Sequence, residues 1–351
     1  MTGSTGSLAP SPPAPGRRGE RPRRPAGAGR TLVLALAGTG LLVLAGLWSL
    51  TVGATGMPPD RVAGALWAAA GSADRGLVLG VRLPRIVLAA LVGASLAVAG
   101  LLAQTLTRNP LASAQTFGIN AGAAVAIVAT TIAFGAGGVA ATVAAFAGAG
   151  VVGVVMWALS AATAIGTVGL ALAGMSLQIL LSALVQAILV MNNSTQDIVF
   201  WLAGSVTGAQ WPDVTLLLPF TLTGCAVAAV AHRGFGLLAL DSATGEALGQ
   251  NTRRVAGGAA LLVVTLAGAS VAVAGPIGFV GLIVPHIARA LVGGDFGRRL
   301  VLCVVGGALL LVVADLLARL VAFPGETPAG VITAVVGAPA FLFLALRSKT
   351  R

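Results

Sequence analysis

The chain has 351 residues, and only 9% of them are Asp, Glu, Lys or Arg, against about 25% in a soluble domain. The apolar fraction is 57% and the mean hydropathy +0.98. A soluble protein must cover its surface with charge, so an ordinary cytosolic multidomain enzyme is excluded, as is disorder outside the ends. What remains is an all-α polytopic membrane protein, with room for about ten transmembrane helices at about 20 residues each.

Residues 1–30 hold six Arg, one Glu, six Pro and six Gly and show no apolar period. They are expected to form a disordered basic cytoplasmic tail beside anionic lipid, with no fold to support nucleic-acid binding. The transmembrane domain is then 31–347, and 348–351 form a second short cytoplasmic tail. The uncharged run from Thr31 to Pro59 is about twice the length of a signal-peptide core and predicts an uncleaved first span ending near Thr55.

The next uncharged stretch, Ile86–Thr107, predicts the second span. Asn109–Gln196 runs 88 residues without a charge and fits three spans, punctuated near Gly135–Gly138 and Ser160–Gly166. Val214–His232 predicts the sixth. Val255–Ala288 is broken by Gly275-Pro276 into a seventh span and a short eighth that carries Pro285. The ninth runs from about Leu300 to Val321 and the tenth from Thr327 to Leu346. Both ends are basic, so positive-inside logic places both in the cytoplasm and requires an even number of spans. Ten spans put 16 basic residues inside and 5 outside.

The single lysine, Lys349, follows Ser348, so the chain has no phosphate-gripping loop in which a Lys follows the last Gly. Cys225 and Cys303 lie in apolar stretches without metal-ligand spacing, and His232 and His286 are distant from each other in sequence; the cysteines are expected to be small buried residues, with no metal site. Gly148–Gly153 matches a dinucleotide-binding glycine pattern but has no strand before it and no acid about 20 residues on. Small residues such as Gly118 and Gly122 are instead expected to let helices approach closely, because lipid gives them no hydrophobic reason to associate.

Charge inside a membrane costs about 2.5–3.5 kcal/mol per group, so the few polar positions in the spans carry information. Asp315 and Arg319 stand four apart at the outer end of the ninth span, either as a local ion pair or with Arg319 turned outward to a partner. Arg82 and Arg85 open the second span on the outer face, where positive charge is disfavoured. They either snorkel to the interface or receive acidic side chains of an external protein. Gln178, Ser182 and Gln186 recur every four residues and line one face of the fifth span, for interhelical hydrogen bonds or for a translocation pathway. The longest inner loop, 233–254, contains Asp241-Ser242, able to cap a short helix that Gly249 would end.

In combination these segments resemble the FecCD-type permeases, the membrane subunits of ABC importers for iron–siderophore, haem and cobalamin. The resemblance covers roughly residues 80–347. It rests on Arg82-Leu83-Pro84-Arg85, Gly93-Ala94-Ser95-Leu96-Ala97, Gln104, Arg108-Asn109-Pro110-Leu111-Ala112, Trp201-Leu202-Ala203-Gly204-Ser205, the run from Gly275 through Pro285-His286 to Arg289, Asp315 with Arg319, Pro328-Ala329-Gly330 and Gly337-Ala338-Pro339. It implies a ten-span, type II ABC importer permease that dimerises, as homodimer or heterodimer, around a central pathway. It also implies two cytoplasmic ATPase subunits carrying the ATP and Mg, an external substrate-binding lipoprotein, and a location in the cytoplasmic membrane. No cofactor and no catalytic residue belong to this chain.

By position, Arg82, Arg85 and Arg319 match the family's docking arginines for the binding protein. Asp241, Thr244, Glu246, Leu248 and Gly249 fall in the segment that couples to the ATPase, and Gln178, Ser182 and Gln186 on the pathway-lining helix. Two positions depart from the family pattern: Asp241, Ser242-Ala243 and Gly245 replace a Gly, an acidic pair and Ala, and Ala114 stands where the family has Pro. The expected cargo is a ferric siderophore, with haem or cobalamin open as alternatives. Two other classes stand against this expectation. A secondary transporter would need a well-placed intramembrane carboxylate, and a membrane enzyme would need clustered catalytic groups.

Overall fold

The computed structural model describes residues 27–53, 56–69, 71–135, 138–162, 167–191, 200–240, 245, 247, 249–323 and 325–349. Among the described residues the regular structure is helical. α1 (Ala28–Thr51) is followed by two short helices, α2 (Pro59–Trp67) and α3 (Ala73–Leu77). A π-helical turn, Val78–Arg82, joins α3 to α4 (Leu83–Thr107) without a break. A single 3₁₀ turn, Ala114–Phe117, leads to α5 (Ile119–Phe134), α6 (Gly138–Ala162) and α7 (Thr167–Met191). Then come α8 (Trp211–Val230), the short α9 (His232–Leu238), α10 (Thr252–Ala274), α11 (Val280–Val292), α12 (Phe296–Val321) and α13 (Ala329–Lys349).

Seven described helices are long and apolar enough to cross a membrane, and three shorter apolar ones, in α5, α11 and α13, accompany them. The chain is thus a multi-pass integral membrane protein. The helix breaks fall where Gly and Pro punctuate the apolar runs. Gly135 ends α5 at φ 59, and Gly275 ends α10 at φ 68. Several boundaries differ from the sequence expectation; α13 runs through Lys349, two residues into the stretch assigned to the C-terminal tail. α1 begins at Ala28, inside the stretch assigned to the tail, whose residues 1–26 lie outside the described residues. The helix expected from Ile86 begins at Ala73, because the π turn lets it continue through the charged Arg82 and Arg85. α12 starts at Phe296, one turn early, because the Asp295 carboxylate accepts from the Arg298 N–H at 2.8 Å and caps it.

α4 is the central helix. In its most apolar stretch 78% of the residues are buried, against 11% in α1 and in α7. It packs on α12, α10, α11 and α8. Glycine sets the spacing. A Cβ added to Gly93 would lie 2.1 Å from the carbonyl oxygen of Gly307 in α12, so backbone meets backbone there. Gly122 of α5 and Gly148 of α6 meet in the same way, and Gly153 packs against Val264, which assigns these two glycines of the 148–153 run to packing. A buried hydrogen bond of 2.8 Å between Ser95 and Thr221 links α4 to α8.

Candidate functional site

The polar residues collect at two opposite ends of α4, which at 25 residues is about 37 Å long. At its N-terminal end the sequence Arg82-Leu83-Pro84-Arg85 turns the π segment into α-helix. Pro84 sits in the first turn, where its missing N–H costs nothing, and Arg82 and Arg85, three apart, share a face. α12 ends alongside, bringing Asp315 and Arg319 to the same place, and α1 ends there too.

The resulting charge cluster is internal. Arg85 is 8% exposed. Its Nε donates to both carboxylate oxygens of Asp315 at 3.0 and 3.1 Å, and its Nη2 donates to Oδ1 at 2.9 Å. Its Nη1 donates to both oxygens of Glu326 at 3.0 and 2.9 Å. Nη2 also reaches the Thr207 hydroxyl at 3.3 Å, and that hydroxyl donates to Glu326 at 2.9 Å.

Arg319, equally buried, pairs with Asp315 Oδ2 at 3.0 Å, one turn away on its own helix. Its Nη1 donates to the carbonyls of Ser49 and Val52 at 3.1 and 2.9 Å, and its Nη2 to the Ser49 hydroxyl. Arg82 donates to the Leu50 carbonyl. The two readings left open for Arg319 are thereby separated: the local ion pair forms and the side chain does not turn outward. Arg82 and Arg85 are likewise turned into the protein and do not snorkel at a surface. The carbonyls at the end of α1 that Arg82 and Arg319 engage are those a helix C-terminus leaves without intrahelical donors, and the macrodipole favours cations there.

The second site surrounds the other end of α4. Arg108 caps the helix in the left-handed conformation, φ 52 and ψ 26, and its Nε donates to the Leu238 carbonyl at the end of α9 at 3.1 Å. Asn109 closes the following turn by accepting the Leu111 N–H at 2.9 Å. Beyond Leu238 comes the long loop. Its far end is fixed by Gln250, whose amide donates to the Gly234 carbonyl at 2.8 Å, and by Asn251, which caps α10 by accepting the Arg254 N–H at 3.0 Å. Gly249 is exposed at φ 78, the conformation of a glycine that ends a helix. Asp241, Thr244, Glu246 and Leu248 lie outside the described residues; of the short helix expected over this stretch, Gly245 and Ala247 are described and are helical.

The third expected feature, the stripe on α7, is divided. Gln178 and Ser182 are half-buried and Gln186 is exposed. α7 approaches the 3₁₀ turn through Gly174, where a Cβ would lie 2.4 Å from the Thr116 carbonyl oxygen. The stripe runs from that contact towards the exposed part of the helix.

The pattern of the FecCD transport family matches residues 41–347. The chain belongs to the FecCD transport family. Among curated relatives, this FecCD chain is 43% identical over 279 residues to the Fe(3+)-citrate import system permease protein YfmD of Bacillus subtilis (80% of this chain and 84% of that one). It is 38% identical over 334 residues to the iron(3+)-hydroxamate import system permease protein FhuB of the same organism (91% and 84%). It is 40% identical over 283 residues to the Fe(3+) dicitrate transport system permease protein FecC of Escherichia coli (77% and 83%). Its fold is that of a metal-chelate type ABC transporter solved in an inward-facing conformation. The TM-score is 0.80 at 28% identity, covering 90% of this chain and 99% of that one.

Sequence reasoning found the arginines and Asp315 of the FecCD chain but missed Glu326, Thr207 and Ser49. Glu326 carried one available signal: it is the acid that follows Arg319 in the connection between α12 and α13, and so must return near the same helix ends.

Proposed function

We propose that this chain is the membrane-spanning permease subunit of an ABC importer that carries a ferric siderophore or a related iron chelate across the cytoplasmic membrane. The observation that carries the reading is the family match over residues 41–347, joined to relatives whose names assign them to import of ferric citrate and hydroxamate chelates. The permease performs no covalent chemistry. It supplies a path and two docking surfaces, and partners bias its equilibrium between outward- and inward-open states. ATP and Mg are held by two cytoplasmic ATPase subunits.

The end of α4 bearing Arg82, Arg85 and Arg319 faces outward in this reading and receives an acidic surface of an external binding protein. The loop between Leu238 and Gln250 lies at the opposite, cytoplasmic end and takes the ATPase. Its anchoring by Arg108 and Gln250 supports this, because a segment that transmits force must be held at both ends. The exposed flank of α7, with Gln186 and, half-buried, Gln178 and Ser182, faces a second permease protomer and the pathway between them.

Uptake of radioactive iron tests the function. Deleting the gene is expected to abolish ATP-dependent uptake of at least one chelate among ferric citrate, ferric hydroxamates and ferric catecholates, and complementation to restore it. Unchanged iron uptake with lost uptake of haem or cobalamin would assign the cargo to those instead. Transport by the purified chain alone in liposomes would overturn the whole reading.

A further inference from the structure

The guanidinium of Arg85 has two unequal carboxylate partners. Asp315 is 3% exposed, is held on a helix and is shared with Arg319. Glu326 is 29% exposed and sits on the connection between α12 and α13, outside any helix. Its partners are Arg85 and the Thr207 hydroxyl, both at 2.9 Å, which lies within the range of charge-assisted hydrogen bonds. The cluster counts three arginines against two carboxylates, an excess of one positive charge. Loss of Glu326 alone would raise that excess to two in a largely buried place, which is costly. Exchange of Glu326 for another carboxylate leaves the count unchanged.

We propose that Glu326 is a built-in occupant of the Arg85 site, and that an acidic side chain of the external binding protein displaces it on docking. The proposal rests on the outward-facing docking surface described above and adds how that surface is kept closed without its partner. Glu326 presents to Arg85 the same carboxylate chemistry that the partner brings, with both oxygens on one nitrogen. Asp315 holds the guanidinium in place throughout, so the exchange needs no rearrangement of α4 or α12. Release of Glu326 frees the segment leading into α13, whose Gly330 N–H donates to the Gly204 carbonyl at 2.8 Å. Docking is thereby felt at the start of the last helix.

The test uses the permease assembled with its ATPase subunits in lipid nanodiscs, titrated with the soluble substrate-binding protein of the same transport system. Glu326→Gln keeps the shape and removes the competing charge. It is expected to tighten the dissociation constant about twofold to fivefold, the size of a partly exposed ion pair. In an Arg85→Gln background the same change is expected to do nothing. Amide hydrogen exchange over residues 322–328 of the parent is expected to rise when the binding protein docks.

Unchanged or weaker binding by Glu326→Gln, with Arg85→Gln still weakening binding, would overturn the proposal and leave the docking surface standing. Tighter binding without a rise in exchange would also overturn it, since the partner's acid then adds beside Glu326 and does not replace it. Full affinity in a folded Arg85→Gln permease would sink the docking surface and this proposal together. Arg85→Lys, which keeps the charge, is the second variant should Arg85→Gln fail to assemble.

Discussion

Asp315 is shared: Arg85 grips it with three hydrogen bonds of 2.9–3.1 Å, although 230 positions separate the two residues in the chain. Arg319 holds the opposite oxygen at 3.0 Å. One carboxylate thus pairs with two buried guanidiniums from two helices. Asp315→Asn leaves both under-compensated and is expected to destabilise the permease by about 3–5 kcal/mol, as removal of one partner of a buried pair does. Thermal unfolding in detergent measures this. A melting temperature within a degree or two of the parent would show the pairing to be dispensable.

Simultaneous reversal of charge at Arg82, Arg85 and Arg319 is expected to yield no folded protein, because it places three acids beside Asp315 and Glu326. Fluorescence-detected size exclusion of a tagged variant checks this; a monodisperse peak would contradict it. Glutamine at single positions is therefore the way to probe docking.

Gly93→Ala and Gly307→Ala are each expected to cost about 1–3 kcal/mol, since the new methyl meets a carbonyl oxygen at 2.1 or 2.2 Å and the overpacked helices must part. Gly40→Ala in α1 is the control. Nothing lies within 4 Å of its would-be Cβ, and alanine is the better helix former by about 1 kcal/mol. Unfolding temperatures that ranked the other way would refute the close approach of α4 and α12.

Arg108 combines an unfavourable left-handed backbone with a useful side chain. Arg108→Ala loses the hydrogen bond to Leu238 and keeps the backbone cost; Arg108→Gly loses the bond and removes the cost. Glycine is expected to be the more stable of the two by about 1 kcal/mol, while both lower the coupling of ATP hydrolysis to transport in a reconstituted system. Normal coupling in both would remove the anchoring role given to Arg108.

Most of the helical framework is legible in the sequence, because charge is so scarce here that the uncharged runs and their Gly and Pro breaks mark the helices. The glycine contacts were readable as a type of packing though not as pairs: Gly93 says that something comes close, and only the fold says that it is Gly307. The arginines were found but their direction was not. Positive charge on a disfavoured face shows that acids must meet it, and only the fold shows that Asp315 and Glu326 of the same chain already do. The π turn at Val78–Arg82 left no mark in the apolar pattern, so α4 was expected to start later than its helix does. Thr207 and Ser49 are ordinary hydroxyl residues whose part depends wholly on what the fold lays against them.

Where Gly93 faces Gly307 there is no side chain between α4 and α12 to act as a bearing. The two helices are locked against sliding, and the salt bridge at Asp315 pins them again near one end. Mechanically the molecule has a stiff spine there and a lightly packed flank in α7. Any bending of this bundle carries the spine as one rigid beam and falls on the flank, where fewer side chains are held.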